Sequence, residues 1–183
     1  MKKKILFIDQ DGTLVKEPPT DYQLDAWEKL EFMPGVFTWL GKIARETDFE
    51  LILVSNQDGL GGEGFPEEPF MSMHKHVLKS LEGEGVKFSK TFIDRSFPAD
   101  NSPNRKPETG MLTEYFDEEK YDLENSFVIG DRISDMQLAV NLGGRGIFIT
   151  GSPQPLDEKA LSQSNPAFVA KTWEDIYNFL KLP

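Results

Sequence analysis

Five short apolar runs constrain the fold of this chain more than any other feature: Ile5–Ile8, Leu51–Val54, Thr91–Ile93, Phe127–Ile129 and Ile147–Ile149. They are rich in Val, Ile, Leu and Phe without polar alternation, the pattern of strands covered on both faces in a parallel sheet. Helical segments separate them. Pro34 stands at a helix start, ahead of Val36, Phe37, Leu40, Ile43 and Ala44 at helical spacing. Further helices are predicted over Glu67–Leu81, Glu108–Tyr115, Ser134–Leu142 and Trp173–Leu180. Such alternation specifies an α/β fold, an open and mostly parallel sheet flanked by helices, with residues 1–183 forming one domain. In open α/β sheets ligands gather beyond the carboxyl ends of the strands.

Charge and composition narrow the partners. The chain carries a net charge of −11, which argues against nucleic acid, since phosphate backbones are bound by clustered Lys and Arg. It contains no cysteine, so disulfides and thiolate metal sites are excluded. The apolar stretch after Lys2-Lys3-Lys4 is too short for a signal sequence or a membrane span, so no membrane partner and a cytoplasmic location are expected. There is no internal repeat, and Gly59–Gly64 and Phe97–Asn104 read as loops.

The first apolar run leads directly into Asp9-Gln10-Asp11-Gly12-Thr13. Alternate residues of an extended segment point the same way, so Asp9 and Asp11 share one mouth. Two carboxylates that close resist joint ionisation unless a cation, most simply a hard divalent ion, relieves them. Gly12 permits a sharp turn and brings its amide within reach of an anion. Together these features imply a phosphate handled with Mg2+, although Asp and Gly after a strand are also ordinary turn residues.

Complementary groups recur at other strand ends. Ser55 and Asn56 follow the second run, where Ser55 can offer a hydroxyl to a phosphoryl oxygen or simply cap a turn. Arg105-Lys106-Pro107 precedes the segment predicted as a helix. Pro107 suits its first turn and Lys106 its positive end, where a cation can hold an anion; the pair also reads as surface charge. Gly130-Asp131-Arg132-Ile133-Ser134-Asp135 follows the fourth run. Asp131 emerges as Asp9 does, and Asp135 is either a further site acid or a helix-dipole acid.

In combination, Asp9-x-Asp11-Gly12-Thr13, Ser55, Lys106 and Gly130-Asp131-x3-Asp135 resemble the four ordered motifs of the haloacid dehalogenase-like phosphohydrolases. That resemblance covers essentially the whole chain and implies a Rossmann-like fold with a minimal cap or none. Within the superfamily, Glu17-Pro18-Pro19, Asn56-Gln57-Asp58-Gly59-Leu60-Gly61, Pro98-Ala99-Asp100 and Arg105-Lys106-Pro107 resemble the histidinol-phosphate phosphatases. These include the phosphatase half of a bifunctional enzyme that also carries imidazoleglycerol-phosphate dehydratase. Fusion to, or association with, such a dehydratase is therefore an expected partnership. Such relatives usually carry a Cys/His zinc loop, but the matching positions here are Asp94, Ser96, Ser102 and Asn104. No zinc is expected.

What the resemblance implies about roles agrees with the residue chemistry. Asp9 is the nucleophile and Asp11 the acid and base. Mg2+ is held by Asp9, Asp131 and the Asp11 main chain, with Asp135 nearby. Gly12, Ser55, Asn56, Arg105 and Lys106 face a small phosphate ester. Glu17 pairs with a cationic amine or imidazole of the substrate, or is a solvated loop carboxylate. Loops Val15–Asp25 and Gly59–Pro69 shape the mouth. A heptose bisphosphate is the alternative substrate. The rival of another class is a phospho-accepting receiver module, disfavoured because receivers keep two acids side by side. Gly59-x-Gly61-x-x-Gly64 reads as a flexible loop rather than a dinucleotide fingerprint. His74 and His76 read as surface or boundary residues, and the three tryptophans as packing residues.

Overall fold

The computed structural model describes residues 2–181. Six strands form one parallel sheet: β1 (Ile5–Ile8), β2 (Glu50–Asn56), β3 (Phe88–Asp94), β4 (Phe127–Gly130), β5 (Arg145–Ile149) and β6 (Phe168–Ala170). Their spatial order is β3-β2-β1-β4-β5-β6, with every neighbouring pair parallel. Among the described residues five α-helices cover the sheet: α1 (Val36–Glu46), α2 (Glu67–Gly83), α3 (Ile133–Leu142), α4 (Glu158–Ser164) and α5 (Trp173–Lys181).

The central strand β1 is buried on both faces, as its unbroken apolar run requires. Leu6 and Ile8 join a core built with Val36, Leu40 and Ile43 of α1, Met73 and Val77 of α2, and Trp173 of α5. Ile5 and Phe7 point the other way, into a core with Leu138 and Leu142 of α3 and the partly helical Leu112 and Tyr115. Period-two alternation thus splits one four-residue strand between two hydrophobic layers.

Two elements are absent from the sequence reading and one differs from it. Strand β6 has three residues, of which Val169 is exposed, so it gives little apolar signal. In α4 only Leu161 is buried. The helix predicted over Glu108–Tyr115 is a 3-10 segment over Gly110–Phe116, with non-helical dihedrals at Leu112. Its start is fixed by Gly110, whose backbone lies against Pro103: a Cβ there would come within 2.4 Å of the Pro103 carbonyl oxygen. Lys106 and Pro107 therefore lie in a turn ahead of this segment and not at an α-helix N-terminus, which corrects the expected source of positive potential.

The sheet order positions the site. β1 lies between β2 and β4, with Ile8 paired to Leu53 and to Ile129. Strands in a sheet lie roughly 5 Å apart, so residues just past these three ends converge whatever their separation in sequence. The Asp9 amide still donates to the Ile129 carbonyl (3.0 Å), which holds the first aspartate in the sheet frame.

Candidate active site

Asp9, Asp131 and Asp135 meet at this convergence, each with a carboxylate oxygen within 4.8 Å of the others. All three are buried. Lys106, itself only 5% exposed, reaches in from the loop after β3. Its ammonium donates to Asp9 Oδ1 (2.5 Å) and the Val54 carbonyl (2.9 Å), and lies 2.7 Å from Asp135 Oδ1. Among the described residues neither Asp131 carboxylate oxygen has a hydrogen-bond partner, and the nearest cation, Arg132 Nε, is 4.0 Å from Oδ2.

The electrostatics follow from burial and crowding. Desolvation pushes the Asp131 carboxyl up to about 7, and the charge on Asp135 adds to it. Burial drives the Asp9 carboxyl well above its usual range; Lys106 opposes this, while Asp135 and Asp131 reinforce it. Burial alone would lower the Lys106 ammonium, but the carboxylates of Asp135 and Asp9 outweigh it and raise it. Three carboxylates against one ammonium leave an excess of two negative charges when all are ionised. Unpartnered oxygens on Asp131 and that excess both fit a hard divalent cation, which prefers carboxylate oxygen.

Gly12 has a role different from the expected one. Its φ is +77°, and a Cβ there would lie 2.1 Å from Asp131 Oδ2. The amide expected to face an anion instead donates to the Val15 carbonyl (2.7 Å). Glycine is needed because Asp131 packs against the turn. Gly130 makes similar room for Asp135, whose Cγ would lie 2.2 Å from an added Cβ.

Asp11 stands apart from the three-carboxylate group. Its Oδ2 accepts a hydrogen bond from the Gln57 side-chain amide, and its buried Oδ1 has no partner. Burial raises its carboxyl, with Gln57 opposing. The Ser55 hydroxyl, buried at the end of β2, accepts from the same Gln57 amide (2.8 Å).

Asn56 lines the cavity, but its amide is spent on the Lys106 main chain, accepting from the nitrogen (3.0 Å) and donating to the carbonyl (3.1 Å). It fixes the lysine loop in place of the expected phosphate contact. Arg105 also reaches the cavity, where its guanidinium is held by both Asp58 carboxylate oxygens and the Ser96 carbonyl (2.7 Å). Glu17 is neither solvated nor unpaired: it is buried, hydrogen-bonded by Arg132 and 3.4 Å from the Ser152 hydroxyl.

Asp9, Asp11, Glu17, Asn56, Gln57, Arg105 and Lys106 line a cavity of about 260 Å³, together with Asp21, Tyr22, Gln23 and Phe65. Loops from the two regions expected to shape the mouth therefore do so. The loop that lacks zinc ligands is tied by Asp94, which accepts from the Ser96 amide (2.9 Å) and hydroxyl and from the Ser102 hydroxyl (3.1 Å).

Several participants escaped the sequence reading. Gln57 and Arg132 stand inside the quoted motifs, but their partners are 46 and 115 residues away. His74 is not a surface residue; it is buried, stacked on Phe70, and its Nδ1 lies 2.5 Å from Gln10 Oε1 between the two aspartates. Burial pulls its imidazole down to about 4. Trp173 packs and also donates to the Thr13 carbonyl (2.9 Å), whereas Trp27 is 53% exposed against His76.

Comparison with known proteins agrees with the fold. A family described as HAD-hydrolase-like matches residues 103–176. The matched segment carries Lys106, Asp131 and Asp135, three of the residues that meet at the site. The chain is 54% identical over 180 residues to the histidine biosynthesis bifunctional protein HisB of Bacteroides fragilis, covering 98% of this chain and 48% of that one. The HisB of Spirosoma linguale is 48% identical over 189 residues, covering 99% of this chain and 49% of the relative. This chain thus spans about half the length of the curated relatives it matches. The same fold occurs in D,D-heptose 1,7-bisphosphate phosphatase from B. bronchiseptica, crystallised with magnesium and phosphate. That structure has a TM-score of 0.80 at 21% identity, with 97% of each chain covered.

Proposed function

We propose that this chain is a Mg2+-dependent phosphomonoester hydrolase that converts L-histidinol phosphate to L-histidinol and phosphate in histidine biosynthesis. The observation that carries the reading is the meeting of Asp9, Asp131 and Asp135 past the ends of the adjacent strands β1 and β4, with Lys106 reaching in from the loop after β3 and Asp11 on the same mouth. Mg2+ held by Asp9 and Asp131 would neutralise charge developing on the transferring phosphoryl group.

With Oδ1 on Lys106, Asp9 attacks phosphorus through its other carboxylate oxygen. An O–P bond to Asp9 forms as the ester O–P bond breaks, and Asp11 gives its proton to the departing alkoxide. Asp11 then takes a proton from water, whose oxygen attacks phosphorus and releases phosphate from Asp9. Lys106 and the Ser55 hydroxyl offset charge on the phosphoryl oxygens. Glu17 receives the cationic end of the substrate by exchanging its partner Arg132.

The identity to two bifunctional histidine-biosynthesis proteins supports the substrate, and supports a dehydratase as a fused or associated partner. No described helix is long and apolar enough to cross a membrane. Residues 1–183 act as one phosphatase domain, placed in the cytoplasm with the biosynthesis it serves. Heptose bisphosphate has the fold alone behind it. Phosphate release from histidinol phosphate and from D-glycero-D-manno-heptose 1,7-bisphosphate, assayed side by side with Mg2+, tests the choice. Faster turnover of the heptose ester, or at most one equivalent of phosphate from either, as a receiver would give, overturns the reading. So does an Asp9→Asn variant with undiminished turnover.

A further inference from the structure

The structure assigns to Gln57 the positioning of the proton-transferring carboxylate, an inference that rests on the phosphatase reading above. Gln57 is 4% exposed and its backbone is fixed at both ends, its amide donating to the Asp94 carbonyl (2.7 Å) and its carbonyl accepting from Leu60 (3.1 Å). The side chain reaches into the cavity, where one Nε2 serves two acceptors, Asp11 Oδ2 and Ser55 Oγ. An amide nitrogen has two hydrogens, so both are used.

Two consequences follow from donor and acceptor roles. Asp11 Oδ2 accepts from nitrogen, so the proton handed to the leaving group is carried by Oδ1, the buried oxygen without a partner. Ser55 accepts from Gln57, so its own hydroxyl hydrogen remains available to a phosphoryl oxygen. In the first step the Oδ1–H bond breaks as the ester oxygen leaves phosphorus and takes that proton. In the second, a water proton passes to Oδ1 as the water oxygen bonds to phosphorus and the Asp9–phosphorus bond breaks. Gln57 changes no bond; it holds Asp11 so that one oxygen does both transfers.

The test compares wild type with Gln57→Met, which matches the side chain in length and lacks the donor. It uses two probes with Mg2+: p-nitrophenyl phosphate, whose leaving group departs without a proton, and L-histidinol phosphate, whose alkoxide needs one. Failure of wild type to turn over the histidinol ester sinks the phosphatase reading rather than this inference. In Gln57→Met the loss of kcat on the alkyl phosphate is expected to reach about 100-fold, the lower range for general acid catalysis. The first nitrophenolate burst is expected within a few-fold of wild type, followed by a slow steady state because the water step still needs Asp11. Equal losses in the burst and on the alkyl ester, with unchanged circular dichroism, overturn the inference. Should Gln57→Met not fold, Gln57→Asn keeps an amide one methylene short and is expected to give the same split in weaker form; no split there overturns it as well.

Discussion

Lowering the pH from 8 to 6 at fixed Mg2+ is expected to weaken metal binding about tenfold, because a proton competes for Asp131. Its carboxyl ionises at about 7, raised first by burial and then by Asp135. At pH 8 roughly nine-tenths of it is ionised and at pH 6 roughly one-tenth, a difference of ~1.4 kcal/mol in binding. A ligand at about 100 times its dissociation constant stabilises the folded state by ~2.7 kcal/mol, and at about 10 times by ~1.4 kcal/mol. For a chain of 183 residues these correspond to Mg2+-induced rises in Tm of about 8 °C at pH 8 and about 4 °C at pH 6.

The metal-free protein has the opposite slope. The folded Asp131 carboxyl holds its proton more tightly than the unfolded one, so its contribution to stability falls as pH rises from about 4 to about 7 and then levels off. Thermal melts with and without Mg2+ at both pH values, with calorimetric titration in two buffers to count released protons, measure both effects. An equal Mg2+ shift at pH 6 and pH 8, with no proton released, would refute the reasoning.

Three further outcomes follow. Gly12→Ala pushes a methyl group into Asp131 from a left-handed backbone; it is expected to cost more than ~1 kcal/mol of stability and to weaken Mg2+ binding, both read by melts under Mg2+ titration. Lys106→Met strands Asp9 and Asp135 as buried unpaired acids, so urea unfolding of the metal-free protein near pH 8 should show a loss of roughly 3–5 kcal/mol. His74 ionises at about 4 when folded, below its usual 6.5, so its contribution to stability is lost as pH falls from about 6.5 to about 4, by up to ~3 kcal/mol. A His74→Gln variant, compared with wild type in urea across that window, should lack this acid loss.

Much of the fold was written locally. Ile5–Ile8 and Phe127–Ile129 are unbroken apolar runs with Asp at or just beyond their ends, so strand, burial and acidic mouth were all visible in a few residues. What escaped depends on contacts between distant segments. Gly110 looked like a helix residue until its backbone met Pro103. Gly12 looked like an anion-binding turn, whereas its amide closes onto Val15 and its missing Cβ leaves room for Asp131. Glu17 gave no sign that Arg132, 115 residues later, would pair with it, and His74 none that it would brace Gln10. Local patterns specify elements and their ends; which polar groups meet is decided by strand order.

The central claim is that Asp9 carries the phosphoryl group. Reduction of the protein by borohydride during turnover of its phosphate ester, followed by peptide mass spectrometry, converts an acyl phosphate at that position to homoserine. Homoserine at residue 9, absent without substrate, is the predicted result. An unmodified Asp9 during active turnover, or the label at Asp11 or Asp131, would contradict the account.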